Sequence, residues 1–290
     1  LATTLGVPSE NLFVGNGSDE VLAHAFMAFF RQEKPLVKPD ITYSFYDVYA
    51  DLYGIDIRNQ KLNDDFSISL EDYPLENGGI IFANPNAPTG LALPLEQIKN
   101  LLERNTETVV LVDEAYVDFG GESAIELVDQ YPNLVVTQTF SKSRSLAGLR
   151  IGYAVAQPHL IDGLNRVKNS FNSYPMDMLA IAAGVASLKD TAYFTEMCDK
   201  IIATRETTRE RLETLGFNIL PSATNFLFAE HRFIEGGELM GYLRTKGVLV
   251  RHFSRPEIAN FLRITIGTDA EMDALIDALK SHPDMVELDA

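Results

Sequence analysis

Thr137-Gln138-Thr139-Phe140-Ser141-Lys142-Ser143-Arg144-Ser145-Leu146-Ala147-Gly148-Leu149-Arg150 lies between two apolar runs, Leu134-Val135-Val136 before it and Ile151-Gly152-Tyr153-Ala154-Val155-Ala156 after it. Short β-branched runs bounded by polar turn residues read as buried strands. The loop between them carries hydroxyls, one lysine and, eight residues further on, an arginine. A lysine amine forms a Schiff base only where desolvation or a neighbouring cation keeps part of it neutral. Thr139, Ser141 and Arg150 are groups that grip phosphate oxygens, the guanidinium through a bidentate fork. A lone Ser-Lys-Ser equally suits a solvated basic loop, so the other strand ends decide between the two.

Outward from this loop the same pattern recurs. Strands are expected at 12–14, 36–38, 56–60, 79–83, 108–113, 134–139 and 151–156, several apolar on both faces as a covered, mostly parallel sheet requires. Helical stretches fall between them at 19–30, 43–52, 94–104 and 158–169. After Pro175 the pattern turns helical over 176–188 and 192–215. A shorter block follows, with strands at 225–230, 248–252 and 261–266 and helices near 237–246 and 270–279. Strands alternating with helices, without repeats or a Gly/Ser linker, define an α/β chain. The expected layout is a mostly parallel seven-stranded sheet in a large domain over 1–200 and a smaller C-terminal α+β domain over 201–290.

Composition narrows the partners. A formal charge of −17 and a pI near 4.6 argue against nucleic acid and against an anionic membrane surface, both of which need a basic face. Small molecules and other protein are the partners that remain. The single cysteine, Cys198, excludes an internal disulfide framework and a cysteine-rich metal site, so no metal is expected, and it suits a reducing cytoplasm. No apolar run approaches the ~20 residues of a transmembrane helix, and no signal peptide is evident. Leu1 is not an initiator methionine, which points to a chain that continues upstream.

Ligands of open parallel sheets sit beyond the carboxyl ends of the strands. After Val14 comes Gly15-Asn16-Gly17-Ser18-Asp19-Glu20, whose glycines let backbone approach closely and whose free N–H groups at a helix start suit phosphate, although a simple turn and cap reads the same way. After Ala83, the run Asn84-Pro85-Asn86-Ala87-Pro88-Thr89-Gly90 fixes a turn that presents amide side chains. Val109-Val110-Leu111-Val112 runs directly into Asp113-Glu114-Ala115-Tyr116. An acid ending a buried strand is costly unless paired, and a pyridinium nitrogen is one such partner, a helix cap another. Tyr116 reaches for a ring oxygen in the first case and packs in the second. Tyr43, in Ile41-Thr42-Tyr43-Ser44-Phe45-Tyr46, offers a flat face for stacking or an aromatic staple at a helix start.

A Schiff-base lysine, a pyridinium partner, a phosphate cup and a stacking ring are together the parts of a pyridoxal phosphate site. On these motifs, with Leu262-Arg263-Ile264-Thr265-Ile266-Gly267-Thr268 near the C-terminus, the chain resembles the fold-type I pyridoxal phosphate aminotransferases over essentially its whole length. Within them it is similar to the histidinol-phosphate aminotransferases. The resemblance implies a homodimer that converts L-histidinol phosphate and 2-oxoglutarate to imidazole acetol phosphate and L-glutamate, a step of histidine biosynthesis. It also implies residue roles. Lys142 would bind the cofactor covalently and shuttle a proton between the substrate α-carbon and the cofactor. Asp113 would hold the pyridine nitrogen protonated, Tyr116 would contact the phenolic oxygen, with Asn86 or Asn84 substituting for the asparagine that relatives carry at Ala87, and Tyr43 would stack on the ring. The cofactor phosphate would lie on the backbone N–H groups of Ser18 and Asp19 beside Thr139, Ser141 and Arg150. Arg251 and Arg263 would bind the anionic end of the substrate, where an internal salt bridge is the alternative. Two departures stand out: Ala87 where relatives carry asparagine before Pro-Thr-Gly, and no Tyr-Pro-Asp arm in these residues. An aromatic or broad-range aminotransferase, or a threonine-phosphate decarboxylase, shares the cofactor shell. A catalytically silent binding module stands outside the class, and retention of Lys142, Asp113 and Arg150 together argues against it.

Overall fold

The computed structural model describes residues 1–285. A short helix α1 (Ala2–Leu5) leads into β1 (Leu12–Asn16) and α2 (Ser18–Phe29), then β2 (Leu36–Pro39), α3 (Phe45–Tyr53), β3 (Ile57–Gln60) and β4 (Ile80–Ala83). Helix α4 (Leu95–Arg104), β5 (Val110–Asp113), β6 (Leu134–Thr139) and β7 (Ile151–Ala156) complete the first sheet. Its order is β1-β7-β6-β5-β4-β2-β3, and every pairing is parallel except the two made by β7. The expected mostly parallel seven-stranded sheet is therefore present. Because only β7 runs backwards, the carboxyl ends of β1, β2, β4, β5 and β6 share one edge.

Period-two alternation sends neighbours to opposite faces. Phe82, Val112 and Val136 pack into one core beneath α4, while Ile81, Leu111 and Val135 pack into the other beneath α2, α3 and α5 (Pro158–Phe171). All six are fully buried, and burying each such side chain stabilises by about 1.5–3 kcal/mol. This explains why the central strands lack the polar alternation of a half-exposed sheet. The same alternation places Asp113 on the face of Leu111, toward α3.

Helices α6 (Met178–Lys189) and α7 (Thr191–Thr214) follow, and Asp177 caps the first by accepting from Leu179 and Ala180 N–H. The second sheet is antiparallel, in order β10-β11-β9-β8, built from β8 (Phe217–Ile219), β9 (Phe226–His231), β10 (Arg251–His252) and β11 (Phe261–Thr265). Between its strands lies α8 (Gly236–Thr245), and α9 (Asp269–Lys280), the last helix among the described residues, starts behind a Thr268/Glu271 capping box. Leu227, Leu239, Ile264 and Leu275 form a core of its own. Two elements differ from expectation. Phe-Asn-Ile at β8 is too short to show a period, and the expected strand over 248–252 narrows to Arg251–His252 because only these residues pair with β11.

Candidate active site

At the shared edge, one cleft is walled by Ser18, Asp19, Tyr43, Asp113, Tyr116, Thr139, Ser141, Lys142 and Arg150, together with Leu22, Ala83, Ala87 and Ala115. Nine of the ten residues singled out for a cofactor thus meet in one place. They come from the ends of four strands and the start of α2.

The anion cup forms where β1 turns into α2. Gly17 has φ +82°, and a Cβ there would overlap the Arg150 guanidinium; a Cβ on Gly152 would overlap the Ser18 amide. Side-chain-free backbone at both points lets β7, the arginine and the helix start close on one another. No side chain among the described residues caps α2, which leaves its first N–H groups and the positive end of its dipole to the cleft. Arg150 holds a left-handed φ of +49°, a conformation that persists in a non-glycine residue only where its surroundings over-determine it. Its Nη2 pairs with Asp19 Oδ2 at 2.8 Å, and both side chains are about half exposed. Such an exposed pair stabilises by at most about 1 kcal/mol, so a phosphate competes for the guanidinium easily. Ser141 N–H donates to Thr139 Oγ1 at 3.1 Å, which fixes both hydroxyl-bearing residues beside Lys142.

The Asp113 carboxylate is 4% exposed. Tyr46 Oη donates to its Oδ2 at 2.8 Å and Thr137 Oγ1 to its Oδ1 at 3.3 Å. Burial pushes its pKa up to about 6 even though Tyr46, Thr137 and the Ala115 backbone pull it down. No cation among the described residues pairs with it. A carboxylate so placed is complementary to a positively charged ligand atom. Lys142 Nζ stands 5.3 Å from the centroid of the Tyr116 ring. Tyr43 lies edge-on to Tyr46 and donates to Asp19 Oδ1 at 3.3 Å, and burial, then Asp19, raise its phenol well above the ordinary range.

Asn86 is the exception. Its amide donates to Ile41 O and Thr89 Oγ1 and accepts from Thr42 Oγ1, so the side chain is consumed in holding the 84–90 turn. Asn84 is likewise bound to the Leu93 backbone through both ends of its amide. The expected ring-oxygen contact of Asn86 is not brought to the cleft, whose wall there is Ala87.

A second cavity opens between the two sheets and shares Tyr43 and Ala87 with the first. Arg251 and Arg263 both line it. They are cross-strand partners of β10 and β11, which sets their side chains side by side on one face. Like charges so placed destabilise a sheet, and no acid among the described residues pairs with either. Arg263 Nε is buried without a hydrogen-bond partner, and its guanidinium lies 5.2 Å over the Phe226 ring. Phe226 in turn meets Tyr116 edge-on at 5.2 Å, which joins the arginine wall to the lysine cleft. The internal salt bridge that is the alternative for these arginines is not made among the described residues.

Sequence reading missed Tyr46, Thr137, Lys38, Asp40 and Arg255. Tyr46 stands three residues after Tyr43 in a stretch expected to be helical, a spacing that signals a shared face. Thr137 stands opposite Asp113 across β5 and β6, a pairing no linear pattern reveals.

Pyridoxal phosphate presents a phosphate, a ring nitrogen, a phenolic oxygen and an aldehyde carbon. The uncapped helix start with Arg150, the cation-free Asp113, Tyr116 and Lys142 supply a matching group for each, so the residues present fit it. A lysine and a buried acid at adjacent strand ends of such a sheet define a fold-type I pyridoxal phosphate enzyme. The chain belongs to the family described as aminotransferase class I and II, whose profile matches residues 2–279. It is 58% identical to a histidinol-phosphate aminotransferase of Chromohalobacter salexigens over 281 residues, covering 97% of this chain and 80% of that one. The fold matches histidinol-phosphate aminotransferase from Sinorhizobium meliloti, solved with pyridoxal-5'-phosphate, at TM-score 0.85 and 27% identity over 96% of this chain and 78% of that one. It also matches L-threonine-O-3-phosphate decarboxylase from Porphyromonas gingivalis at TM-score 0.80 and 26% identity, covering 97% of this chain and 86% of that one.

Proposed function

We propose that this pyridoxal phosphate-dependent transaminase takes L-histidinol phosphate as amino donor and 2-oxoglutarate as acceptor, yielding imidazole acetol phosphate and L-glutamate in histidine biosynthesis. The observation that carries the substrate is the facing pair Arg251 and Arg263, two cations without an acid partner among the described residues, beside the cofactor cleft. A phosphate dianion rewards two guanidinium groups more than a carboxylate does, through its charge and its extra acceptor oxygens. The 58% identity to the histidinol-phosphate aminotransferase of Chromohalobacter salexigens supports the same choice.

When bound, pyridoxal phosphate supplies an electron sink for the pair released at the donor α-carbon. Ser18 and Asp19 backbone N–H groups, Thr139, Ser141 and Arg150 hold its phosphate. Asp113 keeps a proton on its ring nitrogen, with Tyr46 and Thr137 holding the carboxylate in place. Tyr116 orients the phenolic oxygen, and Tyr43 covers one face of the ring. Lys142 provides the amine that anchors the cofactor and, once displaced, moves the proton at the donor α-carbon. A kcat/KM panel of L-histidinol phosphate, phenylalanine, tyrosine and O-phosphothreonine tests the reading. Preference for an aromatic amino acid, or carbon dioxide release from O-phosphothreonine, overturns the substrate and leaves the cofactor site standing.

Two further features belong to the same reading. The chain divides at about residue 200, within α7, into the two domains expected, supported by the separate core of the second sheet. It acts as a homodimer, supported by the exposed apolar side chains of Tyr174, Met178 and Leu179, which are 91%, 86% and 76% accessible. A stable, active monomer in sedimentation would exclude the dimer. The single buried thiol of Cys198 supports the cytoplasm as its compartment, and no helix among the described residues is long and apolar enough to cross a membrane.

A further inference from the structure

The cavity between the sheets is lined by four Lys or Arg side chains, Lys38, Arg251, Arg255 and Arg263, and two carboxylates, Asp40 and Asp47. The two acids are not free. Lys38 Nζ lies 3.1 Å from Asp47 Oδ1, and Arg255 Nη2 lies 2.9 Å from Asp40 Oδ2. The Asp40 carboxylate is also held at its other end, where Oδ1 accepts the Leu62 N–H at 3.0 Å, and Arg255 donates a further hydrogen bond to the Asp40 carbonyl. Arg255 engages Glu257 as well, at 2.9 Å, outside the cavity. Once the two pairs are made, Arg251 and Arg263 remain, a surplus of two positive charges that equals the charge of a phosphate dianion.

We propose that Arg255 is a specificity-determining residue that acts through Asp40: by binding this acid it keeps a carboxylate of the same cavity from neutralising Arg251 and Arg263. The proposal rests on the substrate reading above. Asp40 lies just beyond the end of β2, and Arg255 lies in the turn between β10 and β11. The pair therefore spans the cavity, from the sheet that carries the cofactor to the strands that carry the free arginines. With its side chain only 13% exposed, Asp40 is poorly screened by water, and an unpaired carboxylate there acts on the substrate anion at low effective dielectric. Arg255 is a positioning residue, since it touches Asp40 and Glu257.

A charge-withholding pair and a mechanical tie predict opposite signs for one of two variants. Holoenzyme is prepared with Arg255→Met, with Asp40→Asn and with both changes. For each, KM for L-histidinol phosphate and the inhibition constant of inorganic phosphate are measured, with cofactor content and thermal midpoint recorded. Arg255→Met is expected to raise both constants roughly five- to tenfold, the size of one unscreened charge. Asp40→Asn, which keeps the acceptor for Leu62 and removes the negative charge, is expected to lower both. The double variant is expected to return near wild type. Equal losses in both single variants, or an Asp40→Asn variant with unchanged or weaker phosphate affinity, overturn the proposal and leave the pair as a tie between the sheets. If Arg255→Met does not fold, the sign of the Asp40→Asn change alone decides. A wild-type holoenzyme indifferent to inorganic phosphate and to the substrate phosphate overturns the substrate reading itself. A phosphate-sensitive wild type with two unresponsive variants overturns only the role of Arg255.

Discussion

Asp113 at the end of β5 and the arginines of β10 and β11 are uncompensated charges of opposite sign facing adjoining cavities, and they are held differently. Asp113 is almost wholly buried, fixed by two hydroxyl donors, and its pKa is pushed up to about 6 by its own burial. Arg251 is exposed, Arg263 is half-buried over a Phe226 ring, and no carboxylate among the described residues holds either one. A deeply buried charge is costly whenever its partner is away, so it suits a resident cofactor. A charge partly in water tolerates repeated loss of its partner and suits a substrate that comes and goes. Burial, more than charge, separates the group that serves the cofactor from the groups that serve the substrate.

The resident side should break most completely at its covalent anchor. Lys142→Ala is expected to lower kcat on the order of ten-thousandfold, the full contribution of a positioned proton carrier, while the phosphate cup keeps much of the cofactor affinity. Small amines added to the variant should restore part of the rate. Retained turnover without added amine would mean that another group carries the proton.

Asp113→Asn tests the same side from the carboxylate, with two readouts of opposite sign. Loss of the ring-nitrogen partner should cost about 4 kcal/mol of barrier, near a thousandfold in kcat. In the cofactor-free protein the variant should be the more stable one at neutral pH. The folded-state pKa of Asp113 is raised, from 3.8 to about 6, so its contribution is complete below the unfolded value and is lost as pH climbs through about 6. The lost portion is about 3 kcal/mol by linkage. Denaturant midpoints of wild type and variant should therefore coincide near pH 4 and separate by pH 7, in favour of the asparagine. Parallel curves would show that Asp113 finds a partner without the cofactor.

The resident side was also the more legible one in sequence. A hydroxyl-lysine loop after Leu134-Val135-Val136 and an acid after Val109-Val110-Leu111-Val112 need only strand ends to be read, because a parallel sheet gathers those ends by its topology. Asn86 is drawn away from the cleft by partners that a linear reading does not show: Thr42 and Ile41 lie 44 and 45 residues earlier in the chain, and only Thr89 belongs to its own turn. Tyr46, Thr137 and the Arg255–Asp40 pair were hidden because their partners lie 67, 24 and 215 residues away. Arg251 and Arg263 were legible as costly cations in β-rich runs. Their facing register was not, since it depends on where β10 turns into β11.

On the open side, truncation should act on binding. Arg263→Ala is expected to raise KM for L-histidinol phosphate about a hundredfold, as loss of a charge-assisted contact does, with kcat changed far less. Arg251→Ala should follow the same pattern with a smaller rise, because its side chain is the more exposed of the two. KM for an aromatic amino acid should move little in either variant. Equal losses on phosphate-bearing and phosphate-free donors would show that the arginines support the fold and do not read the phosphate.

The finest distinction between the two sides lies at Tyr46, which touches Asp113 and does not line either cavity. Its hydroxyl donates to Oδ2 from full burial, and that bond lowers the pKa which burial raises. Tyr46→Phe removes the donor and leaves the ring packed on Phe26, so the fold should survive and the carboxyl pKa of the cofactor-free protein should rise further. In the holoenzyme the ring nitrogen still favours the ionised carboxylate, so the loss is limited to about one charge-assisted hydrogen bond, roughly tenfold in kcat. The acid limb of the kcat profile should move to higher pH, and KM for L-histidinol phosphate should stay where it is, since Arg251 and Arg263 are untouched. A variant that changes KM while its pH profile stays fixed would place Tyr46 on the substrate side and erase the division between a buried, resident half and an open, exchanging one.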